Sequence, residues 1–287
     1  MIIITIIFDA IEMVKEHQEA QRQKVETITQ RINGKPKFII INASDNPANQ
    51  RYIDNKIKAG EAIGLEVEVR KFDEDCSNED ILSVIEFCNI LKIPVILQLP
   101  IYEHLDEKKL VKAIRAYVDA DCFNEIWLGL IMTNTDVSLM PATPKGVMNL
   151  LEYHKVPIEG KTALVIGRST HVGKPIANLL INKGATVIVA NSKTEDLNSL
   201  VSKADIIISC VGKTNLINKD YIKTGATLVG VGFSYEGRKQ VLDFDVEAIV
   251  EDSKASLVSN RINCTGKATV DSLIDNVLEL YMMNYPE

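Results

Sequence analysis

The sequence lacks the spaced cysteines and histidines that hold metals or form disulfide scaffolds. Its five cysteines include no C-x-x-C pair, and its four histidines include no H-x-x-x-H pair. A dispersed, odd-numbered set of cysteines is typical of a reducing compartment. We therefore expect a cytoplasmic protein that holds no metal.

An excess of positive charge and a long apolar run are also missing. The net charge is −7, with 25% charged and 46% hydrophobic residues, which excludes a general attraction to nucleic acid or to an anionic membrane. The apolar start MIIITIIF is followed at once by Asp9 and has no basic region before it. It is too short to cross a bilayer and predicts a first strand.

The most informative stretch covers residues 162–194. A run of apolar and β-branched residues at 163–166 leads into Gly167-Arg168-Ser169, and Gly173 opens a segment with helical spacing that ends at Gly184. A second apolar run follows at 186–190, so the pattern predicts a βαβ unit. Unpaired amides at the start of its helix favour a phosphate. The alternative is a βαβ unit that binds no nucleotide, because Ser169 stands where a dinucleotide site usually has its second glycine.

The end of the second strand distinguishes two dinucleotides. NAD sites usually place an Asp or Glu there, whereas this chain has Asn191-Ser192-Lys193, with Arg168 available from the first turn. Because no carboxylate would repel a 2′-phosphate, the sequence favours NADP over NAD.

The rest of the chain alternates strands and helices, which predicts an α/β protein with parallel sheets. The expected strands are 38–41, 65–70, 94–98, 205–209 and 226–231. The expected helices are 9–32, 49–64, 78–92, 106–117, 144–154 and 267–283. Thr143 is expected to cap the helix that begins at Pro144, and the stretch after Cys122, up to Met140, is expected to be less regular.

Four polar residues are candidates for chemistry. Tyr52 and Lys56 lie one turn apart on one helix face, although such a pair is more often a solvated surface. Gln98 ends an apolar strand, where open α/β sheets bind ligands, and satisfied burial is its alternative explanation. Asp121 follows the next helix, and its alternative is an ordinary turn aspartate.

In combination these signals resemble the bifunctional methylenetetrahydrofolate dehydrogenase/methenyltetrahydrofolate cyclohydrolase family. The resemblance runs over nearly the whole chain in family order. It is carried by Tyr52-x-x-x-Lys56, Gln98-Leu99-Pro100, Asp119-x-Asp121, Pro141-Ala142-Thr143-Pro144 and Gly167-Arg168-Ser169-x-x-Val172-Gly173-x-Pro175.

The resemblance implies a folate-binding catalytic domain, residues 1–142 with 267–287, and a Rossmann-type NADP-binding domain, residues 143–266. The C-terminal helix is expected to pack back on the first domain. The substrate is implied to be a tetrahydrofolate derivative that lies between the domains, and a strand of the second sheet is implied to form a homodimer.

The resemblance also implies residue roles. Tyr52 packs against the folate ring system, Asp121 holds the pterin, and Lys56, bonded to Gln98, assists hydrolysis. We expect burial and a cationic substrate to lower the pKa of Lys56. The implied cofactor-binding residues are Gly167, Arg168, Ser169 and Gly173 at the phosphates, Ser192 at the 2′-phosphate, Phe233 on the nicotinamide side, and Thr143 and Gly212.

The largest departure from the family lies before the last helix. Residues 259–269 replace a glycine- and proline-rich segment, and they keep only its Gly266 and its final Thr269. Three functions stay open: a bifunctional enzyme, a cyclohydrolase with weak dehydrogenase activity, and a binding protein that retains the fold without turnover.

Overall fold

A computed structural model describes residues 4–136, 138–237, 239–252 and 254–287. The chain divides into two compact units, and each is described by itself. Unit 1 consists of the described residues of Met1–Val14 and Thr143–Thr269, and unit 2 consists of those of Lys15–Ala142 and Val270–Glu287.

Strands and helices alternate along most of the described chain, as the sequence predicts. The strands are β1 (Ile6–Phe8), β2 (Lys37–Asn42), β3 (Glu66–Lys71), β4 (Val95–Leu97), β5 (Thr162–Ile166), β6 (Thr186–Ala190), β7 (Ile206–Ser209), β8 (Thr227–Gly230), β9 (Phe233–Glu236), β10 (Lys239–Leu242) and β11 (Leu257–Ser259). The helices are α1 (Ile11–Ile32), α2 (Pro47–Ala62), α3 (Asn78–Leu91), α4 (Glu107–Ala113), α5 (Glu125–Met132), α6 (Ala142–Tyr153), α7 (Gly173–Asn182), α8 (Leu197–Val201), α9 (Val246–Asp252) and α10 (Thr265–Asn284).

Unit 2 is built on a parallel sheet with strand order β3-β2-β4. Its central strand β2 is buried on both faces, as expected for a continuous apolar run. Phe38 and Ile40 point into the cluster that contains Ile53 of α2, and Ile39 and Ile41 point into the opposite cluster. The segment at Asp119 continues this sheet beyond β4 through a parallel bridge to Val95. Four chain segments, namely β2, β3, β4 and the one at Asp119, therefore leave the same carboxyl edge.

The C-terminal helix packs on unit 2, as predicted. Leu273, Ile274 and Val277 of α10 are buried in the same cluster as Phe38 and Ile53. Polar contacts join α10 to α1 as well: His17 Nδ1 lies 2.7 Å from Asp271 Oδ2, and Lys24 Nζ lies 2.6 Å from Glu279 Oε1.

Unit 1 contains a parallel six-stranded sheet with order β1-β11-β8-β7-β5-β6. From β5 onward this is a doubly wound arrangement, and the strand order reverses between β5 and β7. Strands β9 and β10 form a separate antiparallel hairpin. The α/β fold class predicted from the sequence is confirmed.

The first strand lies in a different unit from the one predicted. β1 was expected with residues 15–142, but it pairs in parallel with β11, with Ile6 opposite Leu257. The Phe8 ring also lies 4.8 Å from the His154 ring, centroid to centroid. The boundary between the two units consequently places residues 4–14 in unit 1.

Two helical predictions need correction. The helix expected over 106–117 ends at Ala113, because the buried Asn89 amide donates to Ala113 O at 3.0 Å and accepts from Arg115 N at 3.1 Å. A 3₁₀ turn, Ala116–Val118, then follows. The stretch expected to be irregular contains α5, which is capped by the Asn124 side chain. In the described ranges, no helix is both long and apolar enough to span a bilayer.

Candidate active site

Lys56 is a buried amine at the carboxyl edge of the unit 2 sheet. It lies on α2, which is capped by Asn46 and begins with Pro47. Only 8% of Lys56 is exposed, and its Nζ donates a hydrogen bond of 2.8 Å to Gln98 Oε1. Tyr52, one turn earlier, is half-buried. Tyr52 and Lys56 therefore do not form the solvated surface that is usual for a Tyr-Lys pair on a helix.

Gln98 is held in one orientation by its neighbours. Its backbone N donates to Ile41 O at 2.8 Å, and its side-chain Nε2 donates to Leu99 O at 2.9 Å. Because the amide nitrogen is used in this way, the amide oxygen is the atom that faces Lys56. The buried Asn49 amide of α2 also donates to Pro100 O at 2.8 Å, which ties the loop after β4 to the helix that carries Lys56.

Burial and one nearby carboxylate set the protonation of this cluster. Desolvation lowers the pKa of Lys56 below its ordinary value, and the charge of Asp121 opposes the shift. Burial likewise raises the pKa of Asp121, opposed by Lys56. The expected lowering of the Lys56 pKa by burial is confirmed. An amine with a lowered pKa exchanges protons closer to neutral pH than a surface lysine does.

Asp119 supports the turn that presents Asp121. It is 4% exposed, and its carboxylate accepts from Asn124 N at 2.7 Å. Desolvation raises its pKa to about 7, against the effect of these backbone amides. Asp119 is therefore a buried anchor of the turn, a role that the sequence pattern did not assign.

Asn42 is a further polar residue at this edge, and it was not predicted from the sequence. It is 2% exposed, and its Oδ1 has no hydrogen-bond partner among the described residues. Because Ile41 is paired with Leu97, Asn42 is the strand neighbour of Gln98, about 4.8 Å across the sheet and on the same face. The available signal was the one used for Gln98, namely a polar residue that ends an apolar strand.

In unit 1 the turn after β5 has the backbone geometry of a phosphate cradle. Gly167 has φ of +119°, and a Cβ there would lie 3.2 Å from Cys210 Cβ. A Cβ on Gly173 would lie 2.2 Å from Gly167 O, so α7 can approach the turn only because it begins with glycine. Ser169 Oγ accepts from Gly173 N at 3.2 Å. Ser169 thus bonds the first amide of α7.

The loop after β6 lies beside this turn, since Ile166 is paired with Ala190. Asn191 closes a tight turn: its N donates to Thr194 Oγ1 at 2.9 Å, and its Oδ1 accepts from Lys193 N at 3.0 Å. Ser192 and Lys193 at the tip are exposed, as is Arg168. Exposed cations beside a glycine turn, with no carboxylate on the residue that follows β6, fit a nucleotide that carries a 2′-phosphate.

Gly212 and Phe233 meet at the carboxyl edge of β7 and β8. Gly212 has φ of +75°, and a Cβ there would lie 2.8 Å from Phe233 O. The Phe233 ring is half-buried and lies edge-on to Tyr235, with centroids 5.8 Å apart.

Thr143 is not an N-cap, contrary to the prediction, because α6 begins one residue earlier at Ala142. Its Oγ1 instead accepts from Thr269 Oγ1 at 3.3 Å. Among the described residues, no group of three or more His, Cys, Asp and Glu side chains could hold a metal ion.

The fold and these sites define a two-unit α/β protein of the dinucleotide-binding enzyme class. Comparisons with known proteins agree. The model of the tetrahydrofolate dehydrogenase/cyclohydrolase NAD(P)-binding domain matches residues 141–285, and the model of the catalytic domain matches residues 8–121. The chain belongs to the tetrahydrofolate dehydrogenase/cyclohydrolase family.

Similar proteins cover almost the full chain. The bifunctional protein FolD of Acholeplasma laidlawii is 34% identical over 94% of this chain and 95% of its own length. FolD of Clostridium novyi is 35% identical over 94% and 97%. The crystal structure of the bifunctional enzyme FolD from Campylobacter jejuni has 30% identity and a TM-score of 0.91, covering 98% of this chain and 99% of that one. The Trypanosoma brucei enzyme, complexed with NADP and an inhibitor, has 26% identity and the same TM-score, with 99% of each chain covered.

Proposed function

We propose that this protein oxidises 5,10-methylenetetrahydrofolate to 5,10-methenyltetrahydrofolate with NADP and hydrolyses the product to 10-formyltetrahydrofolate. The observation that carries the proposal is the buried pair of Lys56 and Gln98, with Nζ and Oε1 2.8 Å apart. Family membership and the FolD relatives support both activities.

Lys56 is the proton-transfer group of the hydrolysis. Water adds to the methenyl carbon and gives up a proton, which the neutral amine of Lys56 accepts. That proton returns to N5 when the bond between N5 and the carbon breaks. The hydroxyl of the intermediate loses its own proton to solvent as the carbonyl forms, which leaves the formyl group on N10. A lowered pKa supports this role, because it raises the fraction of neutral amine near pH 7. Gln98 fixes the direction of the amine.

Tyr52 and Asp121 bind the folate. The half-buried Tyr52 ring offers an aromatic face to the flat pteridine and benzoyl groups. The pterin edge carries adjacent N–H donors, for which the Asp121 carboxylate is a two-oxygen acceptor. Since Asp121 and Lys56 influence each other's charge, substrate bound at Asp121 lies close to the proton-transfer group.

Unit 1 binds NADP, which supplies the hydride acceptor for the oxidation. Gly167, Arg168, Ser169 and Gly173 would hold the phosphates, and Ser192 would hold the 2′-phosphate. Phe233 would lie on the nicotinamide side, and Gly212 and Thr143 complete the proposed cofactor-binding residues. The close approaches at Gly167 and Gly173 support these assignments, because only glycine at these positions lets α7 begin against the end of β5, which brings the positive end of the helix to the turn. Residues 143–266, together with the described residues before 15 that include β1, form the NADP-binding domain, and 15–142 with 267–287 form the folate-binding domain.

Two absorbance assays test the proposal. One follows methylenetetrahydrofolate with NADP, and in a second arm with NAD; the other follows methenyltetrahydrofolate alone. Activity in both assays, with NADP preferred, supports a bifunctional enzyme. Hydrolysis without oxidation supports a cyclohydrolase with weak dehydrogenase activity. Silence in both despite folate binding would leave only a binding protein and would refute the proposal.

The protein acts in the cytoplasm as a homodimer. Strand β6 is the edge of the unit 1 sheet, and Val189 on it is 41% exposed. An edge strand offers unpaired backbone groups to a second copy. Light scattering tests this: a dimer that Val189→Lys converts to monomer supports the assignment, and a monomeric wild-type chain contradicts it.

A further inference from the structure

A single buried carboxylate holds the loop that follows β7. Asp243, the residue after β10, is fully buried. It accepts hydrogen bonds from Ser209 Oγ, from Val211 N at 3.1 Å and from Lys213 N at 2.6 Å. We propose that Asp243 is a positioning residue for NADP, because it fixes the shape in which loop 210–213 meets the nucleotide. This inference rests on the proposed function.

The loop lies where an open parallel sheet binds nucleotides. It leaves the carboxyl end of β7, next to β5, at the point where the strand order reverses. The phosphate turn touches it directly, since a Cβ on Gly167 would lie 3.2 Å from Cys210 O. The shape of this loop is therefore part of the shape of the cradle.

A carboxylate is suited to this loop and an amide is not. Its two oxygens accept from two alternate backbone amides and one hydroxyl, whereas Asn has one acceptor oxygen and an NH₂ group that would face an N–H donor. The loop also has little room to relax, because a Cβ on Gly232 would lie 2.3 Å from Gly212 N. Losing the carboxylate therefore leaves amides unpaired and displaces the loop.

The test compares Asp243→Asn with Asp205→Asn. Asp205 is a matched control at the opposite end of β7, where its carboxylate accepts from Thr162 N at 3.0 Å and from Lys223 Nζ at 2.7 Å. Each variant is measured for NADP dissociation constant by fluorescence titration, for KM of NADP and of methylenetetrahydrofolate, and for hydrolysis of methenyltetrahydrofolate, which needs no NADP. Unfolding curves report the folded fraction.

We expect Asp243→Asn to weaken NADP binding about tenfold, as for loop amides that lose their acceptor. Its KM for the folate and its hydrolysis rate stay within about twofold of wild type, because unit 2 carries the proton-transfer group. Asp205→Asn lowers stability without changing NADP affinity. Equal NADP affinity in wild type and Asp243→Asn, or equal weakening in both variants, would overturn the inference.

A second variant covers the case in which Asp243→Asn does not fold. Ser209→Ala removes one donor and keeps the carboxylate, so NADP binding weakens about threefold, in line with one lost hydrogen bond; unchanged affinity in that folded variant overturns the inference. If the wild-type chain itself binds no NADP, the proposed function fails at the first titration and the role of Asp243 fails with it.

Discussion

Gln98→Leu is the sharpest perturbation of the lysine site. It removes the acceptor that lies 2.8 Å from Lys56 Nζ and replaces it with an apolar side chain of similar size. Gln98 is only 8% exposed, so solvent is poorly placed to supply a substitute. The charged form of Lys56 then loses more hydrogen-bond stabilisation than the neutral form, because an ammonium makes the stronger hydrogen bond.

The size of the effect follows from that bond. A buried hydrogen bond to a charged group contributes about 1.5–3 kcal/mol, and part of it orients the amine. If the orienting part is lost in the transition state, hydrolysis slows by about ten- to a hundredfold. The pKa of Lys56, already lowered by burial, falls further. The acid limb of the rate–pH profile therefore moves to lower pH, since the amine is neutral over a wider range.

The assay is the initial rate of methenyltetrahydrofolate hydrolysis across the pH range in which the folded protein is stable, corrected for the uncatalysed rate. Gln50→Leu is the control: Gln50 is exposed on the same helix α2 and donates to Asp54 Oδ1 at 2.8 Å. Its profile should match wild type. A folded Gln98→Leu variant with wild-type rate and an unmoved acid limb would refute the role of this pair.

Three further predictions test other parts of the molecule. Lys56→Met should slow hydrolysis by about 10²–10⁴-fold, as for a lost acid–base group, and leave NADP affinity by fluorescence titration unchanged. Gly173→Ala should weaken NADP binding by more than about tenfold and lower stability, because its Cβ would lie 2.2 Å from Gly167 O. His17→Gln should lower stability to urea at acidic pH more than at alkaline pH. The Asp271 hydrogen bond raises the pKa of His17. The charged His17 side chain therefore stabilises the fold fully below the ordinary His pKa, and this contribution is lost as pH rises through the raised pKa. Because 39% of the His17 side chain is exposed, the loss of stability stays below about 1 kcal/mol.

Each of these three predictions would be contradicted by a specific result. Hydrolysis at the wild-type rate in Lys56→Met removes Lys56 from the mechanism. Gly129→Ala, where nothing lies within 4 Å of the added Cβ, is the control for Gly173→Ala, and equal NADP affinity in both would contradict the cradle. A stability difference for His17→Gln that is the same at pH 5.5 and 8.5 would show that the Asp271 contact is not charge-dependent.

Sequence periodicity predicted those strands and helices whose own residue pattern marks the buried positions. The βαβ unit at 162–190 was predicted closely, because β5 is continuously apolar and α7 has a regular buried stripe. The polar residue at the end of β4 was found by the same local rule. The roles proposed for Tyr52 and Asp121 came from the family resemblance and not from periodicity.

Features set by distant partners could not be predicted in this way. The place of β1 depends on β11, about 250 residues later, and the end of α4 depends on the Asn89 side chain. Asp243 follows the β9–β10 hairpin, which no local signal marked, and its donors lie some 30 residues earlier. Such pairings are tertiary, and single-sequence patterns do not encode them.

The lysine site also predicts a conflict between activity and stability. Burial that lowers the pKa of Lys56 destabilises the folded state relative to the unfolded chain, in which the amine is fully hydrated. Replacing both members of the pair, Lys56→Met with Gln98→Leu, removes the buried amine together with its amide acceptor. The pKa of Asp121 then rises further, because Lys56 no longer opposes the effect of burial. We expect this double variant to be inactive in hydrolysis yet more stable by about 1–3 kcal/mol in urea unfolding.

The stability gain of the double variant should be largest below the lowered pKa of Lys56. It should fade as pH approaches 10.5, the ordinary lysine value, because the Lys56 amine of the unfolded chain then also loses its proton. Lys56→Met alone should gain less, since Gln98 Oε1 is left without a donor. A double variant less stable than wild type at neutral pH would mean that the cluster stabilises unit 2, and that the lysine is held there by packing and not by its chemistry.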